Sequence, residues 1–360
     1  MWPNSRLCET LGIDLPIIQA PVASAGGSAL AAAATAAGGH GSLPCAILDV
    51  DKIRTEIRVI RQQTYGPINV NFVTHRPPGP DPACENAWRE RLRDYYDEFG
   101  LDPDAKASAV NRAPFDEATC EIVEVTKPEV VSFHFGLPAE SLLDRAKAAG
   151  CRVISFATTV AQAEWLVARG CDAIIAQCYE AGGHRGIFLN DDVFAQAGTM
   201  ALVPQVIDAV DVPVVATGGI TDGRGIAAAF ALGAAGVQIG TAYLFTLESP
   251  ISDLYREALR NVRDDQTALT NVFTGRPARG VLYRLMRDAL PISDAAPAFP
   301  AAGGALTPLK AAAEAQGSVD FTSLGSDQTA ALGREIGAAD LTWTLAAEAL
   351  DHLSNLSGRS

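Results

Sequence analysis

The feature that most constrains this 360-residue chain is a repeated alternation of short β-rich apolar runs with stretches of helical spacing. The runs are 16–20 (PIIQA), 41–44 (GSLP), 68–73 (INVNFV), 130–135 (VVSFHF), 153–157 (VISFA), 173–177 (AIIAQ), 214–217 (VVAT) and 237–240 (VQIG). An Ala-rich helix that Ser28 can cap ends at Gly38-Gly39, and 50–63 places Ile53, Ile57 and Ile60 on one helical face. Stretches 140–149 and 161–169 repeat that pattern. Eight strands alternating with helices predict an α/β fold, a (β/α)8 TIM barrel. An open doubly wound sheet is the rival. It usually has fewer strands, and no GxGxxG follows the first run here.

The rhythm breaks twice. Between His75 and Pro114 stand Pro77, Pro78, Pro80, Pro82 and Pro103, with an amphipathic piece over 87–99. This reads as an insertion (75–114) after the third strand, and loops that long are usually functional. After Thr246 the rhythm ends. Residues 251–262 and those from Thr267 onward read as helix, 291–304 as a Pro/Ala/Gly-rich loop, and 338–352 as a last helix. The expected organisation is a barrel over 1–249 and a mostly helical extension over 250–360.

Composition bounds the partners. Hydrophobic residues make up 48% and charged residues 19%, a globular balance. The net charge of −14 and the lack of any basic cluster argue against nucleic acid. Any anionic ligand must then be held by local donors. Seven scattered cysteines without a CxxC pair argue against a disulfide framework or a metal site and for a reducing cytoplasm. Residues 1–10 lack an apolar signal core, and the Ala-rich stretch 29–37 is too short to span a bilayer.

Chemistry in a barrel sits beyond the C-terminal ends of the strands. Beyond the seventh run come Gly218-Gly219-Ile220 and Asp222-Gly223-Arg224-Gly225, and beyond the eighth comes Gly240-Thr241. Glycines there let backbone N–H groups approach an anion, and a following helix N-terminus adds partial positive charge. Each pair alone reads as a tight turn; both together point to a phosphate site. Beyond the sixth run, Gln177 is followed by Cys178-Tyr179-Glu180-Ala181-Gly182-Gly183-His184-Arg185-Gly186. An imidazole beside two glycines at the active end suits proton transfer or anion stabilisation, the alternative being a surface loop histidine. Asn69 and Asn71 share one face of the third strand, where a polar pair can cap the strand or face a neighbouring loop. Ser132 and His134 share a face of the fourth, with core and substrate-pocket roles both open. Gln19 reads as structural.

The segments QAPV (19–22), NVNF (69–72), SFHFG (132–136), DAIIAQ with EAGGHRG (172–186), VVATGGI (214–220), VQIGT (237–241) and FTGRPARG (273–280) resemble successive motifs of the nitronate monooxygenase (2-nitropropane dioxygenase) family. The resemblance covers nearly the whole chain. It implies FMN in the barrel mouth. Asn71 and Gln177 would contact the flavin or its ribityl chain, with Ala20 and Val22 of QAPV beside it. Gly182, Gly183, Gly218, Gly219, Gln238, Ile239, Gly240 and Thr241 would surround the phosphate end, and His184 would match the catalytic histidine. The implied reaction is FMN-dependent oxidation of a nitronate or nitroalkane by O2 to a carbonyl compound and nitrite. His184 would stabilise the anion or abstract the α-proton. A homodimer is a further expectation. The chain departs from the family pattern at Val22 (commonly Met), at Cys178 (commonly Gly) and at Gly325-Ser326-Asp327 in place of Trp-Ala-Gly. The alternatives are an NAD(P)H-dependent flavin reductase of the enoyl-acyl-carrier-protein reductase type and a non-catalytic flavin-binding protein.

Overall fold

The computed structural model describes residues 1–104, 112–356 and 358. The part of the expected insertion at 105–111 lies outside the described residues. Eleven strands are assigned among the described residues: β1 Ile17–Gln19, β2 Gly41–Pro44, β3 Ile68–Val73, β4 Val130–His134, β5 Arg152–Ala157, β6 Ala173–Gln177, β7 Gly183–His184, β8 Val214–Thr217, β9 Gly236–Ile239, β10 Thr267–Thr270 and β11 Ala278–Val281. Eight of them form one parallel sheet in the order β1-β9-β8-β6-β5-β4-β3-β2. The ends of that order meet. The His40 N–H donates to the Ile17 carbonyl at 2.9 Å, and the Gln19 N–H donates to the His40 carbonyl at 3.0 Å. The Ser42 N–H donates to Gln19 Oε1 at 2.9 Å across the same seam. The sheet thus closes into the barrel that eight apolar runs predict, and Gln19 is its seam brace.

Side-chain alternation sorts the strands into an outer and an inner layer. Val70 and Phe72, Val131 and Phe133, Ile174 and Ala176, and Val237 and Ile239 face the helices in the main core. Ile18, Val130, Ile154, Ala173, Ile175 and Val215 fill the lower barrel, closed beneath by Leu7 and Leu11 of the helix Arg6–Leu11. At the upper end the inward positions turn polar.

The extension contributes to both parts. After β9 only a short helix, Thr241–Leu244, follows. The last helix, Ala338–Leu356, packs on the helices Ser28–Ala36 and Gly223–Ala231 and so fills the eighth place in the outer ring. The stretch expected to be helical from Thr267 onward opens instead with a strand. Its Thr-Ala-Leu-Thr run pairs antiparallel with β11, and β11 pairs antiparallel with β7 from the loop after β6. Trp88, Leu92 and Tyr96, on the insertion helix Pro82–Glu98, join Leu285, Met286, Leu309 and Phe321 in a second core. Trp88 Nε1–H donates to the Ala302 carbonyl at 3.2 Å, and the Tyr96 hydroxyl donates to the Ala305 carbonyl at 2.6 Å. Insertion and extension therefore fold as one mass at the mouth of the barrel.

Candidate active site

The upper strand ends open into one cavity, floored by Asn71, His134, Gln177, Thr217 and Gln238 from β3, β4, β6, β8 and β9. Ala20, Val22, Gly182, Gly183, Gly218, Gly240, Thr241 and His184 line it as well. Gly219 and Ile239 do not. Gly219 takes φ +68° over the Glu180 side chain, and Ile239 points outward into the main core. Asp327, from the extension, lines the cavity beside Thr241, whose hydroxyl oxygen accepts the Asp327 N–H at 3.0 Å.

The loop after β6 is built to hold one imidazole. Gly183 takes φ +74°, the left-handed region that favours glycine. A Cβ on Gly182 would lie 2.6 Å from the Ser326 carbonyl carbon, so this position must also be small. The buried Arg185 staples the loop back to β6, donating to the carbonyls of Gln177 at 2.8 Å and Cys178 at 2.9 Å. Gln177 spends both ends of its amide on the same loop: Nε2–H donates to the His184 carbonyl at 2.9 Å, and Oε1 accepts the Gly186 N–H at 2.6 Å. His134 Nε2–H donates to the His184 carbonyl at 3.1 Å. Gln177 and His134 are thus positioning residues for His184.

His184 Nε2 lies 2.9 Å from the Thr274 hydroxyl oxygen. That hydroxyl donates to the Arg276 carbonyl at 3.3 Å and accepts the Arg276 N–H at 3.4 Å, which leaves one lone pair for an imidazole N–H. The network therefore places the proton on Nε2 and leaves Nδ1 as the basic atom. Burial, first, and then Arg112, His134, Arg276 and His75 hold His184 well below its ordinary pKa, so the imidazole is neutral near pH 7. An aromatic cluster encloses it. The Phe299 ring lies 5.4 Å and the Phe135 ring 6.1 Å from the imidazole. Phe135 is held at φ +76°, a strained backbone for a bulky residue, and carries the Arg276 guanidinium 3.9 Å above its ring.

The nitronate monooxygenase family profile matches residues 4–348. The chain belongs to the nitronate monooxygenase family. It is 42% identical over 347 residues, 96% of this chain and 99% of the relative, to a nitronate monooxygenase of Pseudomonas aeruginosa. It is 40% identical over 352 residues to one of Paraburkholderia phytofirmans, covering 97% of this chain and 96% of that one. A nitroalkane oxidase structure from Streptomyces ansochromogenes superposes with a TM-score of 0.87 at 35% identity, covering 98% of this chain and 100% of that one. FabK from Thermotoga maritima reaches 0.73 at 26% identity, with 99% of both chains covered.

Membership of the nitronate monooxygenase family implies a flavin, and the cavity suits one. Among the described residues no hydrogen bond engages the backbone N–H groups of Gly218 or Gly240, which leaves donors for an anion. Gln238 Oε1 is buried without a partner, an acceptor waiting for a donor that the protein does not supply. The departures from the family pattern fall in distinct places. Val22 lines the cavity. Cys178 is fully buried against the Ala176 carbonyl at 3.4 Å, and burial pushes its thiol up to about 12, so it fills space and is unsuited to redox exchange. Asp327 brings a carboxylate to the wall near Gly182. The sequence reading missed Thr274, Arg112, Phe135 and Phe299. Arg276 stood inside FTGRPARG without a reading, and nothing in the pattern marked Arg112.

Proposed function

We propose that this chain binds FMN in the barrel mouth and uses it to oxidise small alkyl nitronates with O2 to carbonyl compounds and nitrite. The observation that carries the reading is the neutral His184 lining the same cavity as free backbone N–H groups. Gly218, Gly240 and Thr241 would hold the phosphate, with Gly182 close against that end, and Asn71 and Gln238 would meet the polar edge of the flavin. Asn71 is pre-aligned by its amide donating to Ser132 Oγ at 2.8 Å. Gln177 acts through His184, since its amide is already engaged. When bound, the flavin supplies the electron acceptor and the site of contact with O2. The protein keeps water away with Phe135 and Phe299 and presents His184 Nδ1 to the substrate. With a neutral nitroalkane, that atom takes the α-proton; a nitronate already formed leaves it no proton to take. Among the described residues no helix is long and apolar enough to cross a membrane. All seven cysteines are free, and we place the enzyme in the cytoplasm.

The test is an absorbance spectrum of the purified protein followed by oxygen uptake on adding propyl-1-nitronate. The expected result is a yellow protein that consumes O2 and releases nitrite. His184→Asn is expected to keep its flavin and lose roughly 100-fold or more in turnover. Unchanged turnover in that variant removes His184 from the mechanism. A colourless protein that FMN cannot reconstitute removes the flavin reading, and rapid anaerobic bleaching by NADH without nitronate turnover moves the assignment to a reductase.

A further inference from the structure

If His184 is neutral, something else must answer the negative charge of a nitronate. Arg112, at the end of the insertion, lines the cavity, and its guanidinium lies 5.8 Å from the centre of the Phe299 ring that flanks His184. No ion pair or hydrogen bond engages that guanidinium among the described residues. Burial pulls its pKa down and no carboxylate acts in the other direction. Arg276 lies on the same side over Phe135, anchored to the Ile187 carbonyl, with exposed Asp191 as its nearest acidic influence. His75 and His134 share this side, both held below their ordinary range. The one carboxylate among the described residues lining the cavity, Asp327, belongs to the wall by Thr241 and Gly182. An unpaired, partly buried guanidinium beside an aromatic ring is costly to keep unless a ligand completes it. The overall charge of −14 makes the surface no help in gathering an anion.

We propose that Arg112 is the substrate-anion receptor of this site, donating to the nitronate oxygens and selecting the nitronate over its neutral nitroalkane. The inference rests on the proposed nitronate chemistry for its substrate, but anion binding can be measured without turnover. Planar, monovalent, unreactive nitrate is the probe, titrated calorimetrically into the FMN-loaded protein. Arg112→Gln is expected to weaken nitrate binding and raise KM for propyl-1-nitronate by roughly 10- to 100-fold, with kcat changed only a few-fold. The KM for neutral 1-nitropropane should move far less. Arg112→Lys should recover part of the loss, which separates charge from folding. Arg54→Gln removes an exposed charge paired with Asp51 on the outer helix Val50–Gln63, at a residue that does not line the cavity, and should leave both readouts alone. Nitrate affinity and KM in Arg112→Gln both within two-fold of wild type overturn the proposal, as does a wild-type protein that takes up no nitrate at millimolar concentration. Arg112-dependent nitrate binding in a protein that fails to oxidise nitronates sustains the anion receptor while the nitronate reading falls.

Discussion

A carboxylate is a poor neighbour for an anion, yet Asp327 lies beside Thr241 and Gly182, where the proposed flavin would put its phosphate. Burial pushes its pKa from the ordinary 3.8 up to about 6, against the pull of Thr329, Thr241 and Arg279. Its Oδ1 accepts the Thr329 N–H at 2.9 Å and the Thr329 hydroxyl at 3.1 Å. The sign follows from the direction. A folded-state pKa above the unfolded one favours the fold below about pH 4, and that advantage is lost as pH rises through about 6. At pH 8 the ionised side chain costs roughly 3 kcal/mol relative to an unperturbed aspartate. Asp327→Asn keeps the acceptor for Thr329 and removes the charge. It should raise the urea midpoint at pH 8, by a margin that shrinks toward pH 5, and slow FMN dissociation. A stability gain that is the same at both pH values would show that the charge is not the cause.

His184 sits where three elements cross: β7, the β11 strand that pairs with it, and the segment 323–327 that lies along β11. The last contact depends on Gly280. The Val281 N–H donates to the Leu324 carbonyl at 2.9 Å, and a Cβ on Gly280 would stand 2.7 Å from that carbonyl oxygen. The obstacle is backbone, so Gly280→Ala must push 323–327 outward. The expected cost is roughly 1–3 kcal/mol, with faster FMN loss in a dissociation assay because Leu324, Gly325 and Asp327 wall the cavity. Full flavin retention would mean that the wall is not needed to hold the cofactor. This crossing also marks what the sequence could and could not disclose. The barrel strands are legible because each buries both faces and reads as an apolar run, and AGGHRG is legible because glycines and a histidine cluster beyond one of them. β7 is two residues long and has no period of its own. Its partner stands about ninety residues away, and β10 is a half-buried Thr-Ala-Leu-Thr that suits either structure. The fold of the mouth is set by these non-local pairings, so Thr274 and Phe299 reach His184 by a route that periodicity does not record. Arg112 is one of five arginines in the proline-rich insertion 75–114, and only its place in space gives it a role.

At the scale of the whole molecule the charges separate. The chain is acidic overall, while the substrate side of the cavity is cationic or neutral-basic, and the histidines are the groups that feel the difference. His40 is locked in the barrel seam with Nδ1–H donating to the Pro67 carbonyl at 3.2 Å, and burial lowers its pKa to about 4. Burial and Arg276 lower His134 to about 3, and His184 lies well below its ordinary value for the same first reason. The unfolded chain protonates all three near pH 6.5 and the folded chain does not. Stability contributed by these groups is therefore complete above about pH 7 and is lost as pH falls. Between pH 7 and pH 5 the unfolded state gains roughly 2 kcal/mol per histidine from that titration. Asp327 works in the opposite direction over the same interval, but it is one group against these three and His75, which burial also holds low. The urea midpoint should thus fall steeply from pH 7 to pH 5, and His134→Gln, which removes one titrating group and can still donate to the His184 carbonyl, should flatten the fall while lowering the midpoint little at pH 8. A midpoint that holds level between pH 7 and pH 5 would mean that these imidazoles take up protons inside the folded barrel, His184 among them.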